Sequence, residues 1–381
     1  MKDFLPFHLP DIGNDEIDEV LKSLKSGWLT TGEKTKKFEE KFREFLGGNI
    51  FAIAVNSATA GMHLALEAIG LKKDDEVITT SYTFTATAEV IRYFGANPVF
   101  IDIDPYTLNI DTTKIEGAIT SKTKAIMPVH FAGLSCNMND ILKIAKKYNL
   151  KVIEDAAHAL PTTYKGNLIG TLESDATIFS FYATKTLTTG EGGMLITKNK
   201  EIADRCKTMR LHGINRDVFD RYLSKKPAWY YEVVAPGYKY NMTDLAASIG
   251  IHQLKKQWNF QEKREKMAKI YDRELKNLPI KLPPRSNSDK HSWHLYTIQL
   301  NFSKLGRDSF IQKLYEDGVG CSVHFIPLHL HPYWKKTYQL KASDYPHATE
   351  VYNNIISLPL YTKMTNNDLE KVIENIKKIL K

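Results

Sequence analysis

The sequence predicts an α/β protein: a mostly parallel sheet flanked by helices, followed by a smaller C-terminal α/β domain. Three observations carry this expectation. Short continuous apolar runs alternate with helical segments from Phe51 to Asp155, the pattern of strands buried on both faces and linked by helices. Beyond about residue 250 the composition shifts to a long charged helix and then to the proline pair Pro283-Pro284. Finally, 381 residues with 43% apolar content are too many for one ordinary core, so two domains are expected, residues 1–250 with an N-terminal arm and residues 251–381.

Taken in order, Asn14 to Ser26 places Ile17, Val20, Leu21 and Leu24 on one stripe, and Gly27 stops the helix. Phe38, Phe42, Phe45 and Leu46 repeat the helical spacing before Gly47-Gly48. The run FAIAV (51 to 55) then reads as a strand, ATAGMHLALEAI as a helix closed by Gly70, and VITT (77 to 80) as a strand. A helix near 84 to 94 precedes the strand PVFIDI (98 to 103), and a helix near 111 to 119 precedes KAIMPV (124 to 129). A helix over 138 to 148 leads into the strand KVIED (151 to 155). Two more strand-like runs, ATIFSFY and GGMLIT, flank a polar, glycine-bearing loop. At the end of the chain, Thr365 is a candidate cap for a helix with Leu369, Val372, Ile373, Ile376, Ile379 and Leu380 at helical spacing.

Composition narrows the function classes. The formal charge of +8 comes from lysines and arginines spread along the chain, without the clustered footprint of a nucleic-acid binder, and it suits a small anionic ligand. Cys136, Cys206 and Cys321 are odd in number and far apart, which is neither a disulfide framework nor a zinc pattern. No run approaches the ~20 apolar residues of a membrane span and no secretory leader is evident. A cytoplasmic protein with no membrane partner is expected. His324, His329 and His331 cluster, and His291 and His294 are three apart. No acid or thiol pattern accompanies them, so structural or substrate-side histidines are expected, and no metal.

Ligands of such sheets sit at the carboxyl ends of the strands, and three strand ends carry candidate chemistry. After FAIAV, Asn56 to Gly61 supplies small and hydroxyl residues at a helix start, where free N–H groups favour a phosphate; taken alone, such a turn is more commonly a plain N-cap with small residues for close packing. Asp155 ends KVIED with His158 three residues on. Such an acid is often a helix cap, and it gains a role if a pyridine nitrogen lies opposite, because a carboxylate keeps that nitrogen protonated. Lys185 follows the strand FSFY; facing the same mouth, its amine would lose hydration and favour the neutral form that attacks a carbonyl. Alone it reads as a surface lysine, and the ensemble makes the case.

Together these stretches are similar to the DegT/DnrJ/EryC1/StrS family of sugar aminotransferases, a branch of the fold-type-I enzymes that depend on pyridoxal 5'-phosphate. The matching segments run nearly end to end: SGWLTTG (26 to 32), NSATAGMHLAL (56 to 66), DEVITTSYTFTATA (75 to 88), GANPVFIDID (95 to 104), TKAIMPVHFAG (123 to 133), VIEDAAHA (152 to 159), FSFYATKTLTTGEGGM (179 to 194), MRLHG (209 to 213) and SLPLY (357 to 361).

The resemblance implies that Lys185 carries the cofactor and shuttles a proton, that Asp155 pairs with its pyridinium, and that Phe84 stacks on the ring. Thr59, Ala60 and Ser180 match the family's phosphate cradle, with Ser57 beside them, and His158 lies against the cofactor ring and its hydroxyl. The segments EVVAPGYKYNMTDLAA (232 to 247) and HSWHLYTIQL (291 to 300) resemble more narrowly the group that makes UDP-4-amino-4-deoxy-L-arabinose. In that group the residue matching Asn241 reaches the neighbouring subunit's cofactor phosphate, which implies a homodimer with shared sites. The substrate implied is a nucleotide-linked keto sugar, aminated from an amino-acid donor, glutamate being expected. Position 158 is histidine in several 4-aminotransferases and glutamine in many 3-aminotransferases, which favours a 4-keto sugar. A sugar dehydratase or a non-catalytic regulator on the same fold is the alternative; Lys185 argues against both, since the family's dehydratases carry histidine there. A nicotinamide dehydrogenase lacks support, because no G-x-G-x-x-G joins the first strand and helix.

Overall fold

In the computed structural model, residues 4–215, 229–286, 288–301 and 305–380 are described. The central sheet contains β1 (Phe51–Val55), β2 (Glu76–Thr80), β3 (Asn97–Ile101), β4 (Thr123–Met127) and β5 (Lys151–Asp155). After a small hairpin of β6 (Thr163–Tyr164) and β7 (Asn167–Leu168), it is completed by β8 (Ala176–Ser180) and β9 (Gly193–Thr197). The seven strands lie in the order β1-β9-β8-β5-β4-β2-β3. All neighbours are parallel except β9, which runs antiparallel to both β1 and β8. The strand interiors are apolar because both faces are covered: Ile53, Val55, Val77, Ile78, Ile126, Ile153 and Ile178 are fully buried.

Helices α1 (Asn14–Ser26) and α2 (Glu33–Leu46) precede the sheet, and α3 (Ala58–Ala68), α4 (Ala86–Arg92), α5 (Met138–Tyr148) and α6 (Lys200–Met209) connect or follow its strands. Gly61 lets α3 lie close on the sheet: a Cβ there would come within 3.0 Å of Ile178 Cγ2. The expected helix near 111 to 119 is instead two short 3-10 turns, Thr112–Lys114 and Glu116–Ala118. Asp111 caps the first through the Thr113 amide, and Ile115 alone is buried there, too little apolar surface to hold a longer helix.

The 32-residue α7 (Asp244–Leu275) joins two cores. Its first turns place Ile251 and Leu254 in the large-lobe core, and its last turns place Met267, Tyr271 and Leu275 in a second core. The division expected at residue 250 therefore falls inside this helix. The second lobe is a three-stranded antiparallel sheet of β10 (Ile280–Lys281), β11 (Tyr296–Leu300) and β12 (Ile355–Leu358). It is accompanied by α8 (Arg307–Glu316), α9 (Pro332–Tyr338), α10 (Pro346–Asn354) and α11 (Asn366–Leu380). The N-terminal arm reaches it: Leu5 is in its core and exchanges backbone hydrogen bonds with Gly318 and Gly320.

Helix α1 docks on α7 with its polar face. Glu16, Glu19 and Ser23 are buried, while Ile17, Leu21 and Leu24 are 45–49% exposed. Each buried polar group is satisfied. Glu16 accepts from Lys256 Nζ (2.7 Å), Gln253 Nε2 (2.9 Å) and the Gly13 amide (2.9 Å). Glu19 pairs with Lys34, and Ser23 Oγ meets Ser248 Oγ at 2.8 Å. Among the described residues no helix is long and apolar enough to cross a membrane.

Candidate active site

The carboxyl ends of β5 and β8, the loop after β8 and the start of α3 enclose a cavity of about 460 Å³. Ser57, Thr59, Phe84, Asp155, His158, Ser180 and Lys185 all line it. At the helix start, Ser57 Oγ accepts from the Ala60 amide at 3.1 Å, so the cap uses that amide; Ala60 does not line the cavity, and its side chain packs in the core. Ala58 and Thr59 also face the cavity, and their N–H groups lack intrahelical partners as at any helix start. Gly193 makes this closeness possible: a Cβ there would stand 2.8 Å from the Ala58 nitrogen.

Asp155 is 5% exposed. Its Oδ2 accepts from Thr87 Oγ1 (2.7 Å), which in turn meets Thr83 Oγ1 (2.9 Å), and its Oδ1 accepts from the Ala157 amide (3.1 Å). Both oxygens are thus aimed by hydrogen bonds. Lys185 faces the same space and, among the described residues, makes no hydrogen bond or ion pair with Asp155. Burial pushes its amine down to about 8, with the Asp155 carboxylate pulling the other way. The neutral amine is therefore available much nearer neutral pH than for an exposed lysine.

His158 Nδ1 accepts from the Ala132 amide at 3.2 Å, so the ring proton sits on Nε2. Burial, with the charges of Lys185 and His324, holds its pKa well below the usual imidazole value. The second lobe adds His294, whose ring centroid is 4.3 Å from that of His158, and Phe325, stacked on His158 at 5.8 Å. His324 also lines the cavity, and burial holds it down at about 4. The spacing of these histidines is visible in the sequence, but their convergence is not. His329 and His291 lie elsewhere: His329 Nε2 meets Thr349 Oγ1 at 2.9 Å, and His291 stacks on Trp293. Among the described residues no group of three or more metal-binding side chains forms.

Phe84 is 60% exposed at the cavity edge. A second cavity of about 860 Å³ adjoins here, sharing Thr83, Phe84 and Phe325 and adding Arg92, Tyr93, His331 and Tyr333. Asn241, like Ala60, is an expected site residue that does not line the Lys185 cavity. Its side chain donates to Thr31 Oγ1 at 2.6 Å and faces a separate cleft with Glu39 and Arg210.

Comparison with known proteins agrees over the whole chain. Residues 10–377 match the model of the DegT/DnrJ/EryC1/StrS aminotransferase family. The spore coat polysaccharide biosynthesis protein SpsC of Bacillus subtilis is 48% identical, over 99% of this chain and 97% of its own. Spr1654 of Streptococcus pneumoniae, solved in a PMP form and a PLP form, superposes with TM-scores of 0.92 and 0.91. Its PMP form is 34% identical and covers 98% of both chains. Helicobacter pylori PseC, an aminotransferase involved in the biosynthesis of pseudoaminic acid, gives a TM-score of 0.91 at 30% identity over 99% of both chains. With Lys185, Asp155 and the α3 amides around one cavity, the chain belongs to the DegT/DnrJ/EryC1/StrS aminotransferase family of pyridoxal-phosphate-dependent sugar aminotransferases.

Proposed function

We propose that the protein transfers an amino group from glutamate to C4 of a nucleotide-linked 4-keto sugar, as a homodimer in which the partner's Asn241 completes each site. The observation that carries this reading is the convergence of Lys185, Asp155 and His158 at the open N-terminus of α3. The residues fit pyridoxal phosphate: an amine free of a carboxylate partner, an acid aimed by two hydrogen bonds, unpartnered amides for a phosphate, and an exposed aromatic face at Phe84. Bound there, the cofactor supplies an electron sink for the pair left when a C–H bond next to the amino nitrogen breaks. Lys185 Nζ would hold the cofactor through its carbonyl group and, when released, would carry the proton to and from the substrate carbon. Asp155, fixed by Thr87 and Ala157, would pair with the ring nitrogen and keep it protonated. His158 would offer its Nε2–H as a donor to the ring's oxygen.

The finer parts rest on separate supports. The adjoining cavity is lined by half-exposed Phe84, Tyr93 and Tyr333 beside Arg92 and His331, which suits a planar base and its phosphates better than a bare sugar. Histidine at position 158 supports amination at C4. The separation of Asn241 from Lys185 within one chain, and the exposed apolar stripe of α1, support the homodimer.

Turnover of the cofactor-loaded protein with glutamate against UDP-, dTDP- and GDP-linked keto sugars tests the substrate. An amino sugar with nitrogen on C4 by NMR is expected; nitrogen on C3, or no turnover with any of them, overturns the assignment. Borohydride should fix the cofactor to Lys185, and attachment to another lysine would refute the site. In an isolated Lys185→Ala/Asn241→Trp heterodimer one site carries both changes and the other neither, so activity should return toward half the wild-type level, whereas sites confined to one chain would stay inactive.

A further inference from the structure

Behind Asp155 lies a buried polar network to which the chemistry above gives no role. Successive strand residues point to opposite faces, so Asp155 faces the cavity while Glu154 turns into the protein, where it and His130 are wholly buried. Glu154 Oε1 accepts from Thr177 Oγ1 on β8 (2.8 Å), and Oε2 meets His130 Nε2 at 2.8 Å. His130 Nδ1 accepts from the Cys136 amide at 3.0 Å. That acceptor must be unprotonated, so the pair holds a single proton between Nε2 and Oε2.

His130 stands at the hinge of the loop that leaves β4. Its own amide donates to the Asp155 carbonyl (3.1 Å), while the Asp155 amide donates to the Pro128 carbonyl (2.9 Å). Two residues on, Ala132 adopts a left-handed φ of 57°, costly for a residue with a Cβ, and its amide is the one that donates to His158 Nδ1. The Ala132 and Gly133 carbonyls accept from the Leu295 and Ser292 amides (3.2 and 3.1 Å), which fastens the segment carrying His294. One loop therefore touches the backbone of Asp155, the ring of His158 and the mounting of His294, and the Glu154–His130 pair clamps its root.

We propose that Glu154 and His130 are positioning residues, whose buried contact holds the loop against the end of β5 and through it fixes the Asp155 carboxylate and the Nε2–H tautomer of His158. Their importance follows from the roles proposed above for Asp155 and His158. Glu154→Gln can still accept from His130 and donate to Thr177, so it should behave close to wild type. Glu154→Leu removes both contacts. His130→Asn keeps an acceptor beside the Cys136 amide but is too short to reach Glu154, so it breaks the clamp with less change at the loop.

Nitrogen NMR of the cofactor-free protein reads the His158 tautomer, and steady-state kinetics of the loaded protein reads kcat and KM. Wild type and Glu154→Gln should show one His158 tautomer. Glu154→Leu and His130→Asn should show a mixture and lose kcat, about 100-fold for Glu154→Leu, the scale of a 1 Å misplacement, with KM little changed. A folded Glu154→Leu protein with one tautomer and wild-type kcat would overturn the proposal, as would a Glu154→Gln protein as impaired as Glu154→Leu. If Glu154→Leu does not fold, unchanged tautomer and kcat in His130→Asn overturn it alone. Borohydride fixation of cofactor to wild-type Lys185 is scored separately, so a failure of the aminotransferase reading cannot be mistaken for a failure of the clamp.

Discussion

Helices α1 and α11 carry the same kind of sequence pattern, apolar residues at helical spacing with charges between them, yet they meet the protein with opposite faces. In α11 the stripe of Leu369, Val372, Ile373 and Ile376 is buried in the second core. In α1 the stripe of Ile17, Leu21 and Leu24 faces outward, and Glu16, Glu19 and Ser23 meet α7. The difference lies in the receiving surface. Toward α1, helix α7 offers Ser248, Gln253 and Lys256, which can satisfy buried carboxylates. Toward α11, the second lobe offers Tyr271, Ile298, Phe310 and Leu314, which can satisfy only hydrocarbon. Periodicity shows that a helix has two faces; the neighbour decides which is buried. In the homodimer proposed above, the stripe left open on α1 is the surface a second copy of the chain would cover.

The largest effect expected from this contrast is at α11. Ile376→Asp puts an unpaired charge in the apolar core and should cost about 4 kcal/mol, seen as a lower denaturation midpoint or loss of folded protein. The matching change on α1, Ile17→Asp with Leu21→Asp, should shift protomer stability by no more than about 0.5 kcal/mol per site while dissociating the proposed dimer in sedimentation. A double variant that stays dimeric removes α1 from the interface. Next in size is Lys256→Met, which strips Glu16 of its cation but leaves the Gln253 and Gly13 bonds. A loss of about 2 kcal/mol is expected, and an unchanged denaturation curve would mean that the buried polar face contributes nothing.

The smallest effect is a pH dependence greater in α1 than in α11. The Lys34 contact pulls Glu19 down to about 2. Burial pushes Glu16 up, but its bonds to Lys256, Gln253 and Gly13 outweigh this and leave it below the ordinary value. Carboxylates depressed in the folded state contribute stability that is complete above their ordinary pKa of 4.5 and is lost as pH falls toward the folded values. Hydrogen exchange of α1 should therefore quicken relative to α11 as pH drops from 4.5 toward 2. Equal protection of the two helices across that window would contradict the polar docking.

Much of the large lobe was legible. Strands β1 to β5 and β8 sit where the apolar runs place them, because strands buried on both faces need continuous hydrocarbon. The mouth with Asp155, His158 and Lys185 followed from the strand ends. The reversed direction of β9 was not legible, since an apolar run such as GMLIT reads the same either way. The outward stripe of α1 was hidden because it depends on polar residues some 230 positions away on α7. His294 and His324 were visible as spacings, but their meeting with His158 depends on how the second lobe closes on the first. Asn241 was singled out by resemblance, for nothing in its local sequence distinguishes it.

The mixed parentage of the cavity has an evolutionary consequence. Residues facing the proposed cofactor, from Ser57 to Lys185, come from the large sheet and its loops, whereas His294, His324 and Phe325 come from the second lobe. Selection on what the enzyme accepts can act on one half of the wall while purifying selection holds the other. Changes of side chain on the second lobe can thus alter what the cavity accepts while the backbone contacts that hold the first stay in place.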